Sequence, residues 1–143
     1  MDAIEISRTG LDVEWQRLQV IAQNLANMNT TRTAGGSPYR AMRLLSGPQV
    51  DFSHLVRGEA ATTRPQGVKV MGVEPVAGGG VRRVYEPGHP DADPQGFVSY
   101  PELDHAAEMT LLIRTSRVYE ANLTALSIAQ QMYARAAELG RQS

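Results

Sequence analysis

Residues 104–143 read DHAAEMTLLIRTSRVYEANLTALSIAQQMYARAAELGRQS, with neither proline nor glycine before Gly140. No other stretch constrains the chain so strongly. Met109, Leu112, Ser116, Tyr119, Leu123 and Leu126 recur at steps of three and four, and Ala129, Met132, Ala136 and Leu139 carry the row onward. That spacing marks one face of a helix. At about 1.5 Å per residue the segment is roughly 50 Å long as a helix, too long for a chain of this size to wrap. Its apolar row is narrow, and Ala121, Ala125, Ala129, Ala136 and Ala137 keep it thin. A long helix with such a seam needs another helix beside it.

A partner is available at the other end. Ile4, Leu11, Leu18 and Leu25 stand seven apart, with Trp15 and Ala22 four residues after Leu11 and Leu18. This predicts a helix over residues 3–27 with a heptad seam, broadened by Val13, Val20 and Ile21. It ends in Asn27-Met28-Asn29-Thr30-Thr31, where asparagine and threonine favour turns and caps.

All 8 prolines and 11 of the 13 glycines lie within residues 32–101. The chain therefore divides into a helical segment 1–31, a turn-rich middle 32–103 and a helical segment 104–143. In the middle, residues 39–45, 50–52, 68–74, 81–85 and 97–100 read as short strands, with a weaker region at 54–63. Residues 75–80 end in three glycines and read as a flexible hairpin loop between two of them. The expected fold class is α+β: long terminal helices paired as a coiled coil around a small β-rich middle.

Several chemistries find little support. Fourteen basic and 15 acidic residues nearly balance, which gives no pointer to nucleic acid or an anionic membrane. There is no cysteine, hence no disulfide, thiolate metal site or cysteine nucleophile. No apolar run approaches the roughly 20 residues of a membrane span, and no cleavable export signal is visible. His89, Asp91 and Asp93 lie close together between Pro87, Pro90 and Pro94. The full calcium-loop spacing is missing, so a stiff structural turn is the better reading. His54, His89 and His105 accompany no nucleophile turn, and neither Gly35-Gly36 nor Gly78-Gly79-Gly80 carries a phosphate-loop pattern. No enzyme activity, metal, cofactor, small-molecule substrate or direct membrane insertion is expected.

Val20-Ile21-Ala22-Gln23-Asn24-Leu25-Ala26-Asn27-Met28-Asn29-Thr30-Thr31 resembles the "NNIANANT" signature of bacterial flagellar rod and hook proteins. Ser116-Arg117-Val118-Tyr119-Glu120-Ala121-Asn122 resembles their "SRAYEAN" signature. Gly36-Ser37-Pro38-Tyr39-Arg40 and the run from Val84-Tyr85-Glu86-Pro87-Gly88-His89 to Pro90-Asp91-Ala92-Asp93 resemble the proximal rod, FlgC type of flagellar basal-body rod protein. The resemblance spans essentially the whole chain. One departure is Pro101-Glu102-Leu103-Asp104 where the family has an asparagine-rich run; Asp104 can still cap the helix that follows.

This resemblance implies a structural subunit of the proximal rod, transmitting motor torque across the periplasm by helix packing. Its partners would be other copies of itself, other rod proteins and the flagellar type III export apparatus, which it would pass without a cleaved signal. Ile4, Leu11, Trp15, Leu18 and Leu25 would pack with Met109, Leu112, Tyr119, Leu123, Leu126 and Met132, within and between subunits. The motif residues are Asn24, Asn27, Asn29, Thr30, Tyr119, Glu120 and Asn122, of which Asn24, Asn27, Asn29, Glu120 and Asn122 offer polar groups near the seam that would fix register. The rival readings are another rod or hook-family axial subunit and an unrelated coiled-coil binding module.

Overall fold

The computed structural model describes residues 2–49 and 66–141. The strand expected at residues 50–52, the weaker region 54–63 and His54 lie outside the described residues. The element order is α1 (Ala3–Ala26), β1 (Met42–Pro48), β2 (Val68–Pro75), β3 (Val81–Tyr85), β4 (Phe97–Pro101) and α2 (His105–Leu139). Among the described residues the fold is α+β, with a helix towards either end and two small antiparallel sheets.

The helix bounds follow from local chemistry. The Asp2 backbone N–H donates to the Glu5 carboxylate (3.2 Å), satisfying a donor that the first turn leaves free. At the far end Asn27 is the C-cap, and its Nδ2 donates to the Gln23 carbonyl (2.9 Å). Asp104 caps α2 as its carboxylate accepts from the Ala107 N–H (3.1 Å). The 24 residues of α1 and the 35 of α2 correspond to roughly 36 and 52 Å at about 1.5 Å per residue. The mismatch carries one end of α2 beyond the reach of α1.

Each sheet is a two-stranded ribbon. β1 pairs with β2, with Leu44 opposite Val73 and a register shift between Leu45 and Ser46. β3 pairs with β4, with Val84 opposite Val98. Residues 75–80 therefore do not form the expected hairpin loop: β2 and β3 belong to different ribbons. The physical reason lies in the neighbours. Asp93 draws β4 back onto β3, and residues 75–80 are held by other segments. Val76 N–H donates to the Ala41 carbonyl (2.9 Å), and Glu102 N–H donates to the Gly80 carbonyl (3.1 Å). The segment is a clasped crossing between the ribbons.

Among the described residues the buried apolar core is small: Val13 and Ile21 on α1, Leu44 on β1 and Val98 on β4. Polar groups join in, and hydrogen bonds help to fasten the β1–β2 ribbon along α1. Thr9 Oγ1 accepts from Val68 N–H (3.1 Å), and Arg17 donates to the Leu44 carbonyl (3.2 Å) and to Ser46 Oγ (2.8 Å).

Candidate functional site: the paired helices and their polar joint

α1 and α2 run antiparallel, because Gly10 lies beside Asn122, Trp15 beside Tyr119, and Asn24 beside Glu108. The contacts across set Gly10 and Asn24 on α1 against Asn122 and Glu108 on α2, with the buried Thr115 midway between those two in sequence, while Arg17, midway between Gly10 and Asn24, turns to β1. Glycine at position 10 matters: a Cβ there would stand 3.2 Å from Asn122 Nδ2. The bare backbone lets Asn122 sit against α1.

The polar joint is built around Asn24, which is fully buried. Its Nδ2 donates to the Met42 carbonyl (2.9 Å) and to Glu108 Oε2 (3.2 Å). Its Oδ1 accepts from Met42 N–H (2.9 Å) and from the Tyr39 hydroxyl (2.9 Å). Both amide hydrogens and both carbonyl lone pairs are used, so burial leaves nothing unpaired. Glu108, also buried, takes a second bond at Oε1 from Arg43 Nη2. Four elements of the chain thus meet: α1, the segment holding Tyr39, β1 and α2. Burial raises the Tyr39 hydroxyl pKa above its ordinary 10.0, the Glu108 carboxylate adds to this, and Arg43 opposes it.

The seam residues expected from the sequence are placed one step aside. Leu11, Leu18 and Leu25 follow Gly10, Arg17 and Asn24 by one residue, and Met109, Ser116 and Leu123 follow Glu108, Thr115 and Asn122. One residue rotates a side chain by about 100° around a helix of 3.6 residues per turn. In an antiparallel pair, a step of the same sense on both helices brings the two rows to the same side. Ile4, Leu11, Leu18, Leu25, Leu112, Tyr119 and Leu126 are half-buried. Trp15, Met109, Leu123 and Met132 are exposed, although the Trp15 ring stands 6.2 Å from that of Tyr119. The result is an apolar strip along one side of the helix pair, with the β1–β2 ribbon on the opposite side.

The motif residues divide. Asn24 enters the joint and Asn122 faces Gly10. Asn27 Oδ1 accepts from Thr30 Oγ1 (3.1 Å) and closes the turn after α1. Asn29 and Glu120 are exposed. Hydrophobic periodicity does not find Tyr39, Arg43, Glu108 or Thr115. The available signal is the polar spacing Glu108, Thr115, Asn122, which an apolar count passes over.

The loop of residues 86–96 is a structural turn built on Asp93. Asp93 Oδ1 accepts from Gln95 N–H and Phe97 N–H (both 2.9 Å), while Arg83 pairs with Oδ2. The Phe97 N–H above all holds the Asp93 carboxyl below its usual range, with further help from Gln95 and Arg83 and some opposition from desolvation. Asp91 accepts from Thr31 Oγ1 (2.8 Å) and pairs with Arg32, fastening the turn to the segment after α1. Among the described residues no group of three or more histidine, aspartate and glutamate side chains is placed to hold a metal. No described helix is long and apolar enough to cross a membrane.

Residues 4–32 match the family described as flagella basal body rod protein, and residues 95–139 match the flagellar basal body rod FlgEFG protein C-terminal family. The two matches cover α1 and the β4–α2 segment, the parts that form the helix pair. The flagellar basal-body rod protein FlgC of Escherichia coli O157:H7 is 37% identical over 142 residues, 99% of this chain and 98% of that protein. The FlgC of Bacillus subtilis strain 168 is 33% identical, over 97% of each chain. That of Borreliella burgdorferi is 32% identical, over 92% of this chain and 91% of its own. Family matches over both helices and likeness at 32–37% identity along nearly the whole length agree: the chain belongs to the flagellar basal-body rod protein FlgC family and is a structural subunit of the rod rather than an enzyme.

Proposed function

We propose that this subunit works in the proximal rod as a stiff element carrying motor torque across the periplasm. In this reading α1 and α2 act as a short coiled coil whose register is set by Asn24 and Asn122. The apolar strip of Ile4, Leu11, Trp15, Leu18, Leu25, Met109, Leu112, Tyr119, Leu123 and Leu126, with Met132 beyond it, packs on helices of neighbouring subunits. Stiffness follows because bending such a shaft distorts many close-packed contacts together. The chain leaves the cell body through the flagellar export apparatus without a cleaved signal and then joins other copies and other rod proteins. The segments 1–31, 32–103 and 104–143 serve as inner helix, outer β-rich layer and inner helix.

The observation that carries this reading is the strip itself: large apolar side chains, Trp15, Met109 and Leu123 among them, remain open along one side of the helix pair, away from the β1–β2 ribbon that lies on α1. Leu123 is 50% exposed, so Leu123→Asp costs the lone chain little. Packed against a neighbour, an unpaired carboxylate at that site costs several kcal/mol, on the order of a buried charge without a partner. Leu123→Asp is expected to abolish rod assembly and swimming while the protein is made and exported in normal amounts. Normal motility at normal export would refute the packing role.

A further inference from the structure

The β3–β4 ribbon stands apart from the other elements. Among the described residues, β3 and β4 bring no Cα within 8 Å of α1, α2, β1 or β2. A two-stranded ribbon is rarely stable alone, and this one is braced from within. The Asp93 carboxylate accepts from Gln95 and Phe97 N–H (both 2.9 Å), and the Tyr100 hydroxyl donates to Glu86 (2.9 Å). The Tyr85 and Phe97 rings stand 5.3 Å apart. Residues 81–101 therefore hold their shape without a neighbouring strand.

This unit joins the rest of the chain at two ends. At its base the chain enters through Gly78-Gly79-Gly80 and leaves through Glu102-Leu103. The Glu102 N–H donates to the Gly80 carbonyl (3.1 Å), so both passages meet at one point. Val76 is fixed to Ala41, and Asp104 is fixed as the cap of α2. The glycines and Leu103 are left to absorb a change of angle, and glycine backbone does so at little steric cost. At the far end, beyond strands of 5 residues and about 16 Å at roughly 3.3 Å per residue, stands Asp91. Its carboxylate accepts from Thr31 Oγ1 (2.8 Å) and lies 3.5 Å from Arg32 Nη1. Among the described residues, no other hydrogen bond or ion pair ties residues 81–101 to the rest of the fold.

The far contact is lightly made. The Arg32 side chain is 69% exposed, and ion pairs so open to water hold weakly. A cleft of about 330 Å³ opens around it, with Gly36 and Pro38 on one side and Pro90 and Ala92 on the other. The buried side chains of β4 are Val98 and Pro101, and Pro101 lies at the base, so Val98 alone is an apolar seat away from it.

We infer that residues 81–101 form a hinged arm, which turns on the Gly80–Glu102 contact and is latched by Asp91 to the segment after α1. Opening the latch frees the arm while the helix pair stays joined, because no bond of the Asn24 joint involves the arm. Since Thr31 and Arg32 follow α1, a shift at the end of that helix pulls on the latch and changes the arm's angle. The inference concerns the single chain and does not depend on the rod-subunit reading.

The chain has no cysteine, so spin labels can be placed in pairs on the full-length protein. Gln16→Cys on α1 with Gln95→Cys on the arm reads the arm's angle, and Val81→Cys with Gln95→Cys reads its internal shape; all three positions are exposed. Pulsed electron spin resonance supplies the distances. The Gln16–Gln95 distribution should be narrow in the otherwise native chain. Asp91→Ala should broaden it, and so should Thr31→Val with Arg32→Ala, which leaves the arm itself untouched. The Val81–Gln95 distance should stay unchanged in both variants. A broad Gln16–Gln95 distribution before any latch residue is altered, or an unaltered one in both variants, overturns the inference. Broadening with Asp91→Ala alone would trace the effect to the arm's own turn and overturn the latch. A changed Val81–Gln95 distance would mean that the ribbon unravels instead of swinging, which overturns the hinge.

Discussion

The Asn24 side chain pairs with both backbone groups of Met42: its Nδ2 donates to the carbonyl and its Oδ1 accepts from the N–H, each at 2.9 Å. A helix side chain thereby takes the place that a neighbouring strand would have at the start of β1. The β1–β2 ribbon begins where it does because α1 offers this partner.

Asn24→Ala removes four hydrogen bonds and strands the Met42 backbone groups in a part-buried site. Each unsatisfied buried group costs about 1–3 kcal/mol, and partial relaxation brings the total to roughly 3 kcal/mol. Urea unfolding should show a clear fall in midpoint. Asn24→Asp should be at least as damaging, because a carboxylate would face Glu108 and the Met42 carbonyl. An unchanged midpoint for either variant would show that the joint contributes nothing to stability.

Arg43 and Glu108 should behave as a coupled pair. The Glu108 side chain is 2% exposed and that of Arg43 is 36% exposed, so the two losses differ. Removing Arg43 leaves a buried carboxylate and is expected to cost about 3 kcal/mol, whereas Glu108→Leu frees an arginine that can turn to water and costs less. The double variant Arg43→Met, Glu108→Leu should recover part of the loss, since an apolar pair leaves no unpaired charge between them. A double-mutant cycle reads the coupling; strict additivity would refute it.

Two glycines separate conformation from contact. Gly36 and Gly67 both have positive φ, at 81° and 89°, but a Cβ at Gly36 meets nothing within 4 Å while one at Gly67 would lie 2.3 Å from Thr9 Oγ1. Gly36→Ala should cost about 1 kcal/mol, the ordinary penalty of the left-handed region. Gly67→Ala should cost more, because Thr9 must also give up its bond to Val68. Equal losses in thermal unfolding would mean that the ribbon is not pressed against α1 there.

Acid should loosen the turn of residues 86–96. The Asp93 carboxyl is held below its ordinary 3.8 by the Phe97 N–H first, then by Gln95 and Arg83. A depressed folded-state value means the stabilisation is present above the unfolded value and is lost as pH falls through the folded one. The amide resonances of Gln95 and Phe97 should therefore shift together only below about pH 4, near the unfolded carboxylate range. Asp93→Asn should remove that titration; its persistence in the variant would assign it to another group.

Much of the secondary structure was legible in the sequence, and for identifiable reasons. Proline and glycine are confined to the middle, so both ends read as helices, and Asp104 caps α2 because a short carboxylate suits that position. The strands at residues 68–75, 81–85 and 97–101 were visible as β-branched and aromatic runs. What the sequence left open was orientation. Periodicity shows which residues of one helix share a face, but not which neighbour that face meets. Here the leucine rows stand one residue from the contact rows, and the antiparallel pairing turns both to a common side. Strand partners were equally undetermined, because the glycines of residues 78–80 suit a hairpin or a crossing alike; bonds from Val76 to Ala41 and from Glu102 to Gly80 decide for the crossing. The buried joint lay furthest from reach. Asn24 and Glu108 are 84 residues apart in the chain, and a glutamate on a helix normally faces water. Only when the fold brings Arg43 and Asn24 to its two oxygens does burying it become affordable.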